Sequence, residues 1–337
     1  MAEAVNILLT SIGRRVSLLE AFRAALADLG LAGRLFGADR SRMAPAFHLA
    51  DEAFLVPAAS EGDAYVEALV EICRSRRVDL VVPLIDWELA LLAGACDAFA
   101  EAGSRMLLSS PEVVGICRDK LATHDFLIAH GFDTPQVLTY EDALQARFPL
   151  FMKPRFGSSA RDVHRLPDRQ ALAFYYARAA EETVIQEFVA GREHTVDVYA
   201  GLDGVPRVAV PRRRLKIRAG EVSKAVTVRH PTIIAEAMRL VEALGGCMGV
   251  LTLQCFLTDD GSVKFIEINP RFGGGVPLAI RAGANFPKWL IQDHLGRRPD
   301  IDPDAWDDGL VMLRYDEAIY RRAEDVGLNG EPILSDD

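Results

Sequence analysis

The stretch from Leu251 to Arg271 reads LTLQCFLTDDGSVKFIEINPR and decides the fold. Two runs rich in β-branched, aliphatic and aromatic residues flank Asp260-Gly261. Asp-Gly in that setting is the strongest short signal for a β-hairpin with a two-residue type I′ loop. Counting outward from such a loop places Gln254 opposite Glu267. The sequence therefore predicts a hairpin with a defined register.

This register sorts the hairpin side chains into two faces. Directly opposed residues share a face, so Gln254 and Glu267 point the same way, and Asn269, two residues further on, joins them. The same count pairs Cys255 with Ile266, and the face opposite the polar trio suits a core: Leu253, Cys255, Ile266 and Ile268. Three oxygen-bearing side chains on one face are what a hard cation such as Mg²⁺ prefers. Taken alone, the pattern also fits a solvent-facing strand of mixed polarity.

The segment that follows, Pro270–Gly275, favours a site over a plain surface strand. It places Arg271 two residues past Asn269 and then runs through three consecutive glycines. A guanidinium and bare backbone suit the charge that develops on a phosphoryl group.

Upstream, strands alternate with helices, which indicates a parallel sheet covered on both faces. Strands are predicted at Asn6–Thr10, Arg34–Ala38, Ala53–Val56 and Asp79–Leu84, and helices at Val16–Gly30, Ala64–Arg76 and Trp87–Ala102. The sequence lacks both a GxGxxG turn and a GxxxxGK[ST] loop, so a nicotinamide site and a P-loop are not expected.

Ligands of such sheets gather beyond the carboxyl ends of the strands. The segments Thr10–Arg15 and Pro83–Glu88 lie there and offer Arg14, Asp86 and Glu88 as candidate substrate-binding residues. The two acids could hold a substrate ammonium group, or they could serve at a helix N-terminus.

A second region opens at Ser110-Pro111, an N-cap followed by a first helical residue. Two helical stretches meet near Asp119-Lys120 and end at Gly131, and strands are predicted at Leu150–Lys153 and Thr183–Glu187. Residues 193–228 are β-rich, with a turn signal at Leu202-Asp203-Gly204, and a helix is predicted over Pro231–Leu244.

A basic run, Pro211–Arg218, stands out in an acidic protein. As a solvated strand edge it would discourage aggregation. Alternatively, Arg212, Arg214 and Lys216 share a face by strand alternation, and some of them line the site and grip an acid substrate or a phosphate.

Composition limits the class of protein. The chain has 337 residues, half of them hydrophobic, and a formal net charge of −10, which argues against coating nucleic acid or an anionic membrane. Five cysteines without a CxxC pair indicate a reduced, cytoplasmic protein. We expect neither a secretory signal nor a membrane-spanning segment.

These features, in this order, resemble the ATP-grasp superfamily over essentially the whole chain. Lys120, in an Asp-Lys pair, and Lys153, in Phe-Met-Lys-Pro, match the family's two phosphate-binding lysines. The loop Gly157-Ser158-Ser159 is similar to the loop that covers the phosphates in that family, where small residues let backbone N–H groups approach the anion.

The resemblance also implies the rest of the nucleotide site. Gln186–Val189 resembles the hinge whose backbone groups, at Glu187 and Val189, read the adenine edge, and Glu193 falls where an acid binds the ribose hydroxyls. The polar trio of the hairpin matches the family's ligands for Mg²⁺ or Mn²⁺, and Gln254 in the first position resembles the carbamoyl phosphate synthase branch. Arg271 and Lys153 are implied as catalytic residues.

The implied fold class is mixed α/β and α+β, with a Rossmann-like parallel-sheet domain (the pre-ATP-grasp domain) before a two-lobed ATP-grasp domain. The expected parts are the pre-ATP-grasp domain at 1–110, a small lobe at 111–188, a large lobe with the metal site at 189–300, and a C-terminal extension packed on the core at 301–337.

The resemblance implies an ATP-dependent carboxylate–amine ligase. Mg-ATP held between two lobes would phosphorylate a small-molecule carboxylate, and an amine would displace the phosphate to give an amide or peptide-like bond. A carbamoyl phosphate synthase resembles two fused units, whereas this chain has room for one, so a stand-alone biosynthetic ligase is favoured. The alternatives are carboxy-phosphate or carbamate chemistry on bicarbonate, and a sensor that binds ATP without turnover. A homodimer is the default assembly.

Overall fold

The computed structural model describes residues 3–157, 162–218 and 220–328. The chain divides into two compact units. The first is drawn from Met1–Leu84, Ala95–Met106 and Arg314–Asp337, and the second from Ile85–Gly94 and Leu107–Leu313. The expected four-part division, with boundaries after residues 110, 188 and 300, stays a prediction.

The first unit contains the parallel sheet that the sequence predicts. Its strand order is β3-β2-β1-β4-β5, with β1 (Ile7–Leu9), β2 (Leu35–Asp39), β3 (Glu52–Leu55), β4 (Leu80–Val82) and β5 (Arg105–Met106). Its α-helices are α1 (Val16–Asp28), α2 (Asp63–Arg76) and α4 (Cys96–Glu101). All three residues of the central strand β1 are buried, as expected for a parallel sheet.

The prediction of a single helix over Trp87–Ala102 is wrong. It divides into α3 (Asp86–Ala93) and α4, because Gly94, a poor helix former, caps the C-terminus of α3. The helix α3 groups with the second unit.

The second unit contains a six-stranded antiparallel sheet of order β14-β13-β10-β11-β12-β15. Its strands are β10 (Arg192–Ala200), β11 (Pro206–Arg218), β12 (Glu221–Thr227), β13 (Gly249–Leu257), β14 (Val263–Asn269) and β15 (Val311–Leu313). Helix α9 (Pro231–Leu244) buries one stripe, including Ile233, Ala237 and Leu240, against the apolar face of this sheet. That face includes Val196, Val198, Leu251, Leu253, Cys255, Phe265 and Ile268.

A four-stranded sheet of order β6-β9-β7-β8 lies in the same unit. It consists of β6 (Val137–Leu138), β7 (Leu150–Pro154), β8 (His164–Leu166) and β9 (Thr183–Glu187), and α7 (Tyr140–Gln145) and α8 (Arg169–Tyr176) belong to the same segment. Helices α5 (Pro111–Arg118) and α6 (Lys120–Ala129) precede it, and α10 (Val276–Arg281) and α11 (Phe286–His294) follow the last hairpin. None of the helices among the described residues has the length and apolar character needed to cross a bilayer.

Candidate active site

One face of the six-stranded sheet carries polar side chains in adjacent rows. The strand registers place Asn269, Thr252 and Asp197 side by side, and the next row contains Glu267, Gln254, Thr195, Arg212 and Thr227. We call this set the polar face. Because side chains alternate along a strand, it lies opposite the apolar residues packed under α9. The predicted pairing of Gln254 with Glu267 is confirmed, and Asn269 shares their face.

The hairpin loop differs from the predicted two-residue turn. Thr258 N–H donates to Ser262 O at 3.0 Å, and Gly261 N–H donates to Thr258 O at 3.0 Å. The loop therefore has three residues, Asp259–Gly261, and ends in a glycine at φ +86°, a conformation that glycine adopts without strain. The type I′ prediction is wrong by one residue.

A bulge in β14 cancels that error. Below the loop Cys255 lies opposite Phe265, not Ile266 as predicted, and the register then shifts so that Gln254 meets Glu267. Ile266 is the additional residue, and it is only half-buried while Phe265 takes the core position. Bulges next to active sites re-aim side chains, and this one turns Glu267 onto the polar face.

Lys153 extends from β7 to the bulge. Its Nζ donates to Ile266 O at 3.2 Å, and the residue is 9% exposed. Burial lowers the pKa of Lys153 to about 8, because desolvation outweighs the attraction of Glu267, and the charge of Lys120 lowers it further. The ammonium group of Lys153 thus lies close to Glu267, a predicted metal ligand, but the attraction of Glu267 does not fully offset the cost of its desolvation.

Lys120 is the first residue of α6. Its Nζ donates to Gly157 O at 2.9 Å. Burial lowers the pKa of Lys120, whereas the carboxylates of Glu267 and Asp86 raise it in part. Both predicted phosphate-binding lysines are therefore within electrostatic reach of Glu267.

Asp119 fixes the start of α6. Its side chain accepts from Leu121 N–H at 2.9 Å and forms a bidentate pair with Arg155 at 2.5 and 2.8 Å. Hydrogen bonding to Arg155 lowers the pKa of Asp119. Gly157 has φ +100°, which favours glycine at the start of the predicted phosphate loop. Ser158 and Ser159, predicted to contact phosphate, lie outside the described residues.

Arg271 is held by a carboxylate. Its Nε and Nη2 donate to the two oxygens of Asp86 at 2.8 and 2.6 Å, and Nη2 also reaches Asn269 Oδ1 at 3.2 Å. This fork-to-fork geometry is the strong form of an arginine–carboxylate pair. Both oxygens of Asp86 face Arg271, and the role of Asp86 in holding a substrate ammonium group stays a prediction.

The other candidates from the first-domain loops have separate outcomes. Glu88 is fully buried, and its Oε1 accepts from Ile85 N–H at 3.2 Å at the start of α3. This contact is the one expected for the helix N-terminal alternative, and the ammonium-binding role of Glu88 stays a prediction. Arg14 is exposed and lies in the first unit, between β1 and α1. Its role in substrate binding stays a prediction.

The predicted adenine hinge lies at the end of β9. Gln186 is buried between Phe151 and Val137 of the neighbouring strands. Glu187 N–H donates to Gln136 O at 2.9 Å, so reading of a base edge by the Glu187 backbone is restricted to its carbonyl group. Val189 follows β9 and is half-buried.

The carboxylate of Glu187 has a structural contact of its own. Its Oε1 accepts from Lys264 Nζ at 2.7 Å, which ties β9 to β14. A link between the two sheets thus stands directly beside the predicted hinge.

The basic strand β11 is not a sheet edge, because β10 and β12 pair with it on both sides. Arg212 is 1% exposed and forms a bidentate ion pair with Asp197 at 2.6 and 3.0 Å. The solvated-edge interpretation is wrong for this residue. Register shifts on both sides of Lys216 break the expected alternation, and Lys216 lies exposed opposite Lys224.

Arg214 lies on the polar face beside Glu193, and the two residues form an ion pair. The residue predicted to bind ribose and one predicted to bind substrate therefore contact each other. The ion pair uses Oε1 of Glu193, and an ionised carboxylate has further lone pairs with which to accept from ribose hydroxyls.

Three residues that sequence reasoning missed are Asp197, Thr252 and Trp87. Asp197 and Thr252 lie on the polar face, and strand alternation from Glu193 and Gln254 could have found them. Trp87 is 64% exposed and lies next to Gly157. No local signal marks it, because its neighbour is distant in sequence.

A small cavity of about 40 Å³ adjoins this site. Its lining includes Asp86, Lys120, Glu267 and Asn269. It has room for about one water molecule or ion. A larger cavity of about 690 Å³ opens at the other end of β10, beside Asp203, Arg207 and Asp293, and none of the predicted site residues lines it.

The donor set can hold a hard cation. One carboxylate and two amide oxygens share a face, and hard cations such as Mg²⁺ take oxygen ligands and complete their shells with water and phosphate. Within the described ranges no group of three or more His, Cys, Asp and Glu side chains is placed to hold a metal. A metal at the polar face would therefore depend on Glu267 together with amide ligands.

Two family models match the chain. The model of the PylC-like N-terminal domain matches residues 7–107, and the model of the ATP-grasp domain matches residues 117–275. The second match lies within the second unit, and residues 276–337 lie outside both matches.

Similarity to individual proteins is distant. The carbamoyl phosphate synthase large chain of Thermoanaerobacter sp. (strain X514) is 25% identical over 225 residues, which are 60% of this chain and 21% of that protein. This chain thus spans about a fifth of the length of that relative.

Solved structures share the fold. The biotin carboxylase β,γ-ATP complex from Campylobacter jejuni aligns with a TM-score of 0.72 at 14% identity, over 90% of this chain and 74% of that one. The L-amino acid ligase from Bacillus licheniformis aligns with a TM-score of 0.66 at 21% identity, over 88% of this chain and 75% of that one.

Proposed function

This chain belongs to the ATP-grasp family, and from that premise we propose that it is an ATP-dependent carboxylate–amine ligase. It joins a small-molecule acid to an amine as an amide or peptide-like bond through an acyl phosphate. The relatives' own names support this class: one is a carbamoyl phosphate synthase chain, one an L-amino acid ligase and one a D-alanine–D-alanine ligase.

One observation carries the proposal. Glu267, Gln254 and Asn269 share the polar face, and the ammonium group of Lys153 lies against the bulge that turns Glu267 onto it. A carboxylate with amide ligands, next to buried cations, is the charge pattern that a metal-bound triphosphate requires. A solvated strand would not need a buried lysine beside it.

The nucleotide would lie along β9 and the polar face. The Glu187 carbonyl and the Val189 backbone would read the adenine edge, and Glu193 would accept from the ribose hydroxyls while it keeps its ion pair with Arg214. Lys120 and Lys153 would neutralise phosphate oxygens. Mg²⁺ or Mn²⁺ held by Glu267 and Asn269, with Gln254 beside them, would supply further charge neutralisation on the phosphates.

The reaction proceeds in two displacements. An oxygen of the substrate carboxylate attacks the γ-phosphorus, the bond to the β,γ-bridging oxygen breaks and ADP leaves. The amine nitrogen then attacks the acyl carbon, inorganic phosphate leaves with its electron pair, and the nitrogen loses a proton. Both anionic partners must approach each other, so Arg271, Lys120 and Lys153 contribute chiefly by orientation and charge neutralisation.

An ADP-release screen tests the proposal. The enzyme with Mg-ATP is presented with amino acids, other small acids and bicarbonate, each with and without an amine. Glu267→Ala is the blank, and Glu242→Ala, an exposed glutamate of α9, is the matched control that retains activity. ADP release that requires an organic acid and rises with an amine supports a ligase. Release with bicarbonate alone, or nucleotide binding without release under any condition, overturns it.

A homodimer is our proposal for the assembly. One structural neighbour is described as a biotin carboxylase domain dimer. Light scattering coupled to size-exclusion chromatography measures the mass directly, and a mass near 37 kDa would show a monomer instead.

A further inference from the structure

Arg212 is the largest fully buried side chain among the described residues. Its guanidinium is 1% exposed, and its partner Asp197 is fully buried. Nε and Nη2 donate to Asp197 at 2.6 and 3.0 Å, while Nη1 has no hydrogen-bond partner among the described residues. A buried ion pair of this kind is weak evidence for stability, because desolvation offsets its attraction. Its presence therefore calls for another explanation.

The ion pair connects to the Arg271 backbone through one hydroxyl. Thr252 Oγ1 lies 3.3 Å from Asp197 Oδ1 and 3.1 Å from Arg271 O. Both contacts are to acceptors, so the single hydroxyl hydrogen is shared between them. Arg212, Asp197 and Thr252 thus form a continuous polar chain that ends at the residue whose side chain grips Asp86.

Two of the glycines after Arg271, Gly273 and Gly275, lie directly against the hydrogen-bonded side chains of Thr252 and Arg212. A Cβ on Gly273 would stand 2.7 Å from Thr252 Oγ1, and a Cβ on Gly275 would stand 2.2 Å from Arg212 Nη1. Neither glycine has a positive φ, so close approach to the sheet is the reason for glycine at both positions. The segment from Arg271 to Gly275 is therefore seated on Thr252 and Arg212.

We propose that Arg212, Asp197 and Thr252 are positioning residues for Arg271. They fix the backbone of the segment Arg271–Gly275 on the polar face, so that the Arg271 guanidinium stands where charge develops on the transferred phosphoryl group. The inference rests on the proposed function for the identity of that group. It assigns β11 a role in catalysis that acts through Arg271 and not by contact with substrate.

Placement matters at this point of the site because electrostatic catalysis depends on donors that are already oriented. The Arg271 guanidinium donates to Asp86, Asn269 and the Phe272 carbonyl, and a bound triphosphate would compete for the same guanidinium. A backbone anchor that does not involve that guanidinium keeps the residue in place while its side chain changes partners. The hydroxyl of Thr252 supplies this anchor.

The test compares Thr252→Val with Thr252→Ser. Valine keeps the shape and the strand preference but removes the hydroxyl, whereas serine keeps the hydroxyl. Neither leaves a buried charge unpaired, so both are expected to fold. We expect Thr252→Val to lower kcat about tenfold and to raise KM for ATP by up to about tenfold, and Thr252→Ser to retain both within about twofold.

A binding measurement makes the test independent of turnover. Calorimetric titration with Mg-ATP and with Mg-ADP gives the ratio of the two dissociation constants, which reports contact with the γ-phosphate. We expect wild type and Thr252→Ser to prefer ATP equally, and Thr252→Val to lose about tenfold of that preference. Equal ratios in all three proteins, or a wild type that does not distinguish ATP from ADP, would overturn the positioning role.

A second arginine, Arg207, serves as a control for the general effect of weakening an arginine–aspartate ion pair. Arg212→Lys weakens the bidentate contact with Asp197, and Arg207→Lys weakens a similar bidentate contact with Asp203 near the start of the same strand. We expect the ATP preference to fall in the first variant only. If no acid or amine supports ADP release by wild type, the ligase proposal fails, and the ratio of dissociation constants still decides the positioning role.

Discussion

The ionisation of Lys153 predicts a pH dependence of nucleotide binding. Its pKa is about 8 in the nucleotide-free protein, below the ordinary value of 10.5, because the ammonium group is desolvated. A triphosphate beside it would favour the charged form and return the pKa toward or above its ordinary value. ATP binding must then be accompanied by proton uptake above pH 8, and affinity must fall as pH rises through that value.

The magnitudes follow from this pKa. Free Lys153 is about nine-tenths protonated at pH 7 and about one-tenth protonated at pH 9, whereas the bound form is almost fully protonated at both. The number of protons taken up on ATP binding should therefore rise from about 0.1 per nucleotide at pH 7 to about 0.9 at pH 9. The affinity for ATP should fall about tenfold between these values, or about 1.4 kcal/mol.

Isothermal titration calorimetry in two buffers with different ionisation enthalpies measures the uptake. At pH 8 and above the triphosphate is fully deprotonated, so its own titration does not contribute. Lys153→Met should abolish most of the rise, and Lys288→Met, in α11, should retain it. Lys120 contributes in the same direction, because burial also lowers its pKa. Uptake that stays near zero from pH 7 to pH 10 would refute the reasoning.

Two further predictions concern stability, and chemical denaturation measures both. Asp86→Asn removes the charged partner of Arg271, whose side chain is 12% exposed, and should lower the free energy of unfolding by about 1–3 kcal/mol. A loss below about 0.5 kcal/mol would show that Asn269 and the Phe272 carbonyl hold the guanidinium without Asp86. Asp119→Asn keeps an N-cap on α6 and loses only the partly exposed pair with Arg155, so it should cost less than about 1 kcal/mol. Asp119→Ala loses the cap as well and should cost about 1–2 kcal/mol more; equal effects of the two changes would exclude a capping role.

The hairpin formed by β13 and β14 shows why local sequence patterns predicted part of the candidate site. Asp260-Gly261 marks a turn between two β-rich runs, and alternation then assigns the faces. The loop is one residue longer than predicted, and the bulge at Ile266 restores the pairing of Gln254 with Glu267. The prediction that Gln254, Glu267 and Asn269 share a face was therefore correct although the predicted loop was not. The longer loop adds one residue on the side of the first strand and the bulge adds one on the side of the second, so the two errors cancel.

Contacts between segments that are far apart in the sequence could not be predicted from local sequence patterns. Arg271 and Asp86 are 185 positions apart, and Lys153 and Ile266 are 113 apart. No periodicity or turn signal relates such positions in one sequence. The partners of Arg271 and Lys153, and with them the pKa of Lys153, depend on how the chain packs.

The basic strand is a different case, because its partners were present in the sequence. Counting outward from the turn signal at Asp203-Gly204 pairs Glu193 with Arg214 and Thr195 with Arg212. Thr195 does lie opposite Arg212, and Glu193 forms an ion pair with Arg214. Asp197 is two residues from Thr195 and so reaches Arg212 diagonally. Two acids on one face of a strand, Glu193 and Asp197, thus meet two arginines on the same face of the next strand. A run of like charges indicates a solvated edge only if the neighbouring strand carries no opposite charges at the paired positions. Here β10 carries two acids, which neutralise the arginines on the polar face.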